Sequence, residues 1–175
     1  MMNPLPSSAK LLMNPFLSPH LPLFESIQIE KDAFSTLRKQ IDDQRNNYKK
    51  YEDALQTTEN HTFSSVFDTL NVLEHPLSKT YGIISHLSSV CDSSTLREIK
   101  NAFRGELVEL GKMVSQSKPL YQAMKEIQTD DPQEQRVLDL SIRSMERGGV
   151  NLPDSVKEEL LEIDKELSEQ GNRFN

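Results

Sequence analysis

FSTLRKQIDDQRNNYKKYEDAL, residues 34–55, is the stretch whose reading decides the fold. Phe34, Leu37, Ile41, Gln44, Tyr48, Tyr51 and Leu55 recur at alternating steps of three and four, with charged side chains between them. At about 3.6 residues per turn such steps return to one face, so the stretch predicts one long helix with a buried seam. Tyr48-Lys49-Lys50-Tyr51 within it is the chain's only basic–aromatic cluster, and it reads as a solvated helix face.

The same spacing continues downstream. Phe63, Val66, Phe67, Leu70 and Leu73 predict a second helix, and Leu77, Tyr81, Ile84 and Leu87 carry the pattern past Pro76, as one kinked helix or two. Thr95 with Glu98 has the form of a capping box, in which a hydroxyl and a carboxylate satisfy the free amides of a helix start. Behind it Leu96, Ile99, Phe103, Leu107, Leu110 and Val114 form a stripe. A short helix follows Pro119 with Leu120, Ala123, Met124 and Ile127. Asp131 is placed to cap the next, with Pro132 at its first position; Val137, Leu138, Ile142 and Met145 form its stripe, and Gly148-Gly149 ends it. The last helix starts near Asp154 and carries a seam of Val156, Leu160, Ile163, Leu167 and Phe174. The helices before it are sparse in apolar residues, so this seam is expected to join the segment to a partner surface or to mediate self-association.

Upstream, Pro4, Pro6, Pro15, Pro19 and Pro22 exclude regular helix, so residues 1–24 are expected to be extended or irregular. The remaining prolines, Pro76, Pro119, Pro132 and Pro153, can each occupy a first helical turn, where a missing amide proton costs nothing. Alternating strand-like runs are missing and only 6 glycines serve turns. The expected fold is all-α: antiparallel helical hairpins or a bundle over residues 25–175, behind a proline-rich segment 1–24.

Composition narrows function. An apolar share of 35%, against roughly 45–50% in average soluble domains, fits long helices that each bury a narrow stripe. A net charge of −7 argues against general affinity for nucleic acid or anionic membranes. The single cysteine, Cys91, excludes an internal disulfide and suits a reducing compartment. With neither a signal nor a transit pattern in the opening residues, the expected location is cytoplasmic.

The residue types that carry chemistry do not assemble in sequence. No two of His20, His61, His75 and His86 are four apart, the spacing that sets two imidazoles on one helical face around a zinc ion. His75 and His86 stand eleven residues apart, roughly 16 Å along a continuous helix, too far to share a metal. Cys91 reads as a half-buried structural thiol, and Asp42-Asp43, Asp130-Asp131 and Glu158-Glu159 read as solvated faces. No catalytic, cofactor-binding or metal-ligating residue is therefore assigned.

Taken in order, several segments resemble the opening of the zinc-dependent oligopeptidases of the oligopeptidase A and thimet type. They are Asn14-Pro15 leading to Leu21-Pro22-Leu23-Phe24 and Ile27; Thr62-Phe63; Ser85-His86-Leu87 with Val90; and Leu96-Arg97-Glu98. They continue as Leu120-Tyr121-Gln122-Ala123, Arg143 through Gly149 with Val150, Leu152 and Pro153, then Ile163, Leu167-Ser168-Glu169 and Gly171 through Phe174-Asn175. The resemblance runs from Asn14 to Asn175. It departs in the absence of tryptophan and in extra residues around Glu74 to Lys79. It implies a parent enzyme, a zinc metallopeptidase that degrades short cytosolic peptides, whose zinc-binding histidine–glutamate–x–x–histidine helix and later glutamate lie in its C-terminal half. Those motifs have no counterpart here, so the resemblance implies no zinc or other cofactor held by this chain. It further implies that these helices form one wall of a deep channel, inert alone, with the catalytic region as partner and short peptides as the full enzyme's ligands. Phe174, still in register after Leu167, reads as a helix cut short, and the chain as a truncated piece. The alternative is a self-standing helical protein-interaction module that binds another helical protein through exposed apolar stripes.

Overall fold

The computed structural model describes residues 14–18 and 27–173, and these are helical with short connections. Most of the segment 1–24 expected to be irregular lies outside them, as does Phe174. Among the described residues six α-helices follow in chain order: α1 (Phe34–Thr57), α2 (Phe63–Val90), α3 (Ser94–Ser115), α4 (Lys118–Glu126), α5 (Pro132–Arg147) and α6 (Asp154–Arg173). A five-residue π-helix, Ile29–Ala33, leads into α1. The chain divides into two compact units. Unit one holds the described residues through Asp42 with His75–Phe103, and unit two holds Asp43–Glu74 with the described residues from Arg104.

In unit one, Leu37 and Ile41 of α1 are wholly buried, as are Ile84 of α2 and Phe103 of α3. Phe34, expected inside, is instead 48% exposed and tilts against Phe103 at a centroid distance of 4.8 Å. A 3-10 turn, Pro15–Leu17, docks here. The Asn14 carboxamide oxygen accepts the Phe16 N–H at 3.0 Å, its Nδ2 donates to Thr36 Oγ1 at 2.8 Å, and Phe16 is buried. Lys79 Nζ donates to the Ser18 carbonyl.

α2 is one continuous helix with Pro76 in its interior, not in a first turn. Proline there removes the hydrogen bond to the carbonyl four residues back. That residue, Val72, is 72% exposed and Pro76 is exposed as well, so the freed carbonyl belongs to a face that water reaches. The start of α3 also differs from expectation. Ser93, not Thr95, is the cap: its hydroxyl accepts the Leu96 N–H at 3.2 Å and its carbonyl accepts the Arg97 N–H. Three successive hydroxyls, Ser93-Ser94-Thr95, offer competing caps. The one used leaves Leu96 and Ile99 buried behind it.

Unit two has the larger core. Tyr48, Tyr51 and Leu55 of α1 pack with Val66 of α2, Leu120, Tyr121, Ala123 and Met124 of α4, Leu138 and Met145 of α5, and Val150. The Tyr51 hydroxyl donates to the Val66 carbonyl at 3.0 Å, which satisfies a phenol buried among apolar groups. Helices α4 and α5 form a hairpin. Tyr121, near the start of one, donates to Glu146 Oε1 near the end of the other at 2.8 Å. Asp131 caps α5 through the Gln133 N–H at 2.7 Å, with Pro132 first in the helix as the sequence predicts.

The turn from α5 to α6 depends on Gly149, whose φ is +90°, a conformation that suits glycine. A Cβ there would stand 2.8 Å from Leu152 Cδ1 and 3.3 Å from Leu160 Cδ1. Gly111, exposed on α3, would meet nothing within 4 Å. Gly149→Ala is therefore expected to destabilise the protein by about 1–2 kcal/mol, since strain at positive φ costs of that order. Gly111→Ala should stabilise it by about 0.5–1 kcal/mol. Urea midpoints of the two variants moving in the same direction would contradict this account.

Candidate functional site

An open cleft of about 530 Å³ in unit two lies among α1, α3, α6 and the start of α4. Met113 and Leu161 supply apolar surface, and Glu52, Glu109, Lys112, Lys118, Asp154 and Lys157 supply charge. Its central polar contact joins residues 65 apart in sequence. Ser117 Oγ donates to Glu52 Oε1 at 2.5 Å and accepts the Leu120 N–H at 3.3 Å. The same hydroxyl thus caps α4 and ties it to α1.

The ionic contacts around the cleft are internal. Lys112 pairs with Asp164, Lys165 donates to Glu109 at 2.8 Å, and Lys157 stands 3.9 Å from Asp154. Gln116 Nε2 donates to the Gly148 carbonyl at 2.9 Å. A serine–glutamate pair can suggest an activated nucleophile, but Ser117 is 4% exposed and its lone pair is committed to a backbone amide. A nucleophile needs a reachable oxygen and a base free to take its proton. The arrangement binds helix to helix.

A second hollow, about 320 Å³, contains His61, Lys118, Gln122 and Glu126. The His61 side chain is 4% exposed and its Nε2 lies 3.6 Å from Glu126 Oε2, so it packs beneath a carboxylate. Among the described residues no three of His, Cys, Asp and Glu stand close enough to hold a metal ion.

Cys91 is exposed, not half-buried, because α2 ends at Val90 and the thiol falls in the following turn. Asp42-Asp43, Asp130-Asp131 and Glu158-Glu159 are all exposed. In the basic–aromatic cluster both tyrosines face the core while Lys49 and Lys50 face water. The Ser117–Glu52 contact carries no local sequence signal, since a serine before Lys-Pro announces only a helix cap.

Burial dominates the electrostatics inside unit two. It pushes the Tyr51 phenol up to about 12 and the Tyr48 phenol higher still, and it raises the Glu74 carboxyl. Among the described residues no helix is long and apolar enough to cross a membrane.

The cleft is walled by helices whose Lys112 and Asp164, and Lys165 and Glu109, pair with one another. Residues 36–157 match the sequence profile of the neurolysin/thimet oligopeptidase N-terminal domain, and the chain belongs to that family. It is 26% identical to oligopeptidase A of Escherichia coli over 171 residues, covering 94% of this chain and 25% of the relative. It is 30% identical over 105 residues to a probable cytosolic oligopeptidase A of Arabidopsis thaliana, covering 57% of this chain and 15% of the relative. An organellar oligopeptidase A of the same plant, chloroplastic/mitochondrial, is 28% identical over 120 residues, 65% of this chain and 15% of the relative. The chain spans a quarter or less of the length of these relatives. Residues 36–157 are the N-terminal domain that this family shares.

Two outcomes follow from the core and cleft. Ser117→Ala removes both the α4 cap and the tie to Glu52, and a stability loss of about 1–2 kcal/mol is expected from chemical denaturation. A loss no larger than that of an exposed serine such as Ser155 would contradict the double role. Second, the folded state holds the Tyr51 proton more tightly than the unfolded chain, whose phenols have a pKa near 10. The stability linked to that proton is complete below pH ~10 and is lost as pH rises toward ~12. The melting temperature should fall over that window, and the fall should be shallower in Tyr51→Phe. Equal slopes in both proteins would reject the linkage.

Proposed function

We propose that this chain is the channel-wall helical portion of a cytosolic zinc metallo-oligopeptidase that degrades short peptides, and that alone it is inert. The observation that carries the reading is the match to the family's N-terminal domain over residues 36–157. The relatives named oligopeptidase A are about four or more times longer, so ample polypeptide remains to hold a reaction centre elsewhere. The paired charges of the cleft and the helix-tying role of Ser117 support a structural part for these residues. The partners are then the catalytic region and, in the full enzyme, short peptides. With a net charge of −7, neither nucleic acid nor an anionic membrane is a partner.

A second reading, a self-standing helical module that binds another protein, is favoured by one observation. Ile163 and Leu167 of α6 are 52% and 63% exposed on one helical ridge.

One experiment separates the readings. An antibody to this chain should detect, in native extract, a species much larger than the 20.0 kDa of the chain itself. That species, immunopurified, should cleave a short quenched-fluorescent peptide and lose the activity to a chelator. The isolated chain should cleave nothing and retain no stoichiometric zinc after a chelator wash. A 20.0 kDa species with no peptidase activity would establish the module instead.

A further inference from the structure

Helix α6 meets the rest of unit two through polar groups. Lys112 of α3 pairs with Asp164, Glu109 of α3 accepts from Lys165, and Arg104 Nη1 donates to the Ser168 carbonyl at 2.9 Å. Leu161, within about 60° of Asp164, Lys165 and Ser168 around the helix, is half-buried on that side. The seam is covered only in part: Leu160, about 20° from Leu167 around the helix, is half-buried. At about 100° per residue, Val156, Ile163 and Leu167 fall within about 40° of one another. Val156 is half-buried, while Ile163 and Leu167 are 52% and 63% exposed. Along one edge of this ridge stand Glu159, Glu162 and Glu166, all exposed, within about 100° of Ile163. Glu162 also accepts from Lys165 at 3.1 Å.

We propose that this ridge is a docking surface for an amphipathic protein helix whose apolar stripe is flanked by lysine or arginine. The exposed apolar pair supplies a centre that gains by excluding water, and the carboxylate edge selects the sign of the partner's flank. That edge argues against a second copy of this chain, because like edges would face each other across a two-fold contact. It argues equally against an anionic lipid surface, which would meet the same carboxylates. Charge of this kind sets partner choice at the rim of an interface while apolar burial supplies the affinity. The surface stands on contacts within unit two and does not require the peptidase reading.

The test uses the full chain and two fluorescent helical peptides of about 20 residues, long enough to lie along α6. They share one leucine stripe, flanked by lysine in one and by glutamate in the other. Anisotropy should show the lysine-flanked peptide binding at least tenfold more tightly, less so at high salt. Ile163→Ser with Leu167→Ser should weaken it at least tenfold, with the melting curve preserved because both residues are exposed. Glu159→Lys with Glu166→Lys should shift preference toward the glutamate-flanked peptide. Val137→Ser with Leu140→Ser, changing exposed apolar residues of α5, should leave binding unchanged. The proposal is overturned if neither peptide binds, if both bind alike, or if the α5 variant weakens binding as much as the α6 variant. A concentration-dependent dimer abolished by the α6 changes would give the ridge to a second copy and also overturn it. No peptidase activity is read, so failure here leaves the preceding assignment standing.

Discussion

One helical register governs much of this structure. The seam of α1 contributes Leu37 and Ile41 to the core of unit one and Tyr48, Tyr51 and Leu55 to that of unit two. A helix keeps its phase over such a length only if the spacing of apolar residues tracks the turn, because a slip of one residue rotates every following side chain by about 100°. Gln44 holds the phase between the two sets at a position where an apolar residue would be ordinary, and it is 9% exposed. The Tyr51–Val66 bond and the Ser117–Glu52 tie both originate on this helix, so the placement of α2 and α4 in unit two refers back to the same register.

The sequence made this register readable because periodicity reports which face is covered. Caps at Asp131 and the ending at Gly148-Gly149 were legible for a related reason: each is a local solution to unsatisfied backbone groups, and few residues provide it. Legibility fell where several local solutions compete or where the deciding contact is distant. Ser93 won over Thr95 among three adjacent hydroxyls. Pro76 lies inside α2 because exposure of Val72 removes much of the penalty, and exposure is a tertiary property. The cleft joins Glu52, Lys112 and Lys157 across more than a hundred residues, with no spacing rule to connect them.

Helix α6 shows a different limit. Its apolar positions form one seam, and a seam ordinarily faces inward. Val156 and Leu160 of the seam are half-buried while Ile163 and Leu167 remain largely in water, and three polar contacts join the helix to α3. Surface ion pairs each contribute little, about 0–1 kcal/mol, whereas burying an aliphatic side chain contributes about 1.5–3 kcal/mol. Covering the half-exposed Ile163 and Leu167 would therefore release free energy of the same order as the three polar contacts together, and need not disturb them. The relatives this chain matches are about four or more times its length, and the acidic edge describes the flank that a covering helix would need.

The exposed thiol of Cys91 has a practical side that follows from the partition of the chain. It is the single cysteine, and it belongs to unit one. Three of the four tyrosines, Tyr48, Tyr51 and Tyr121, belong to unit two, and there is no tryptophan to absorb or mask their emission. A maleimide dye on Cys91 therefore labels one unit while native tyrosine fluorescence reports chiefly on the other. The protein carries its own pair of optical handles, and the order in which its units melt is open to direct observation without altering a residue.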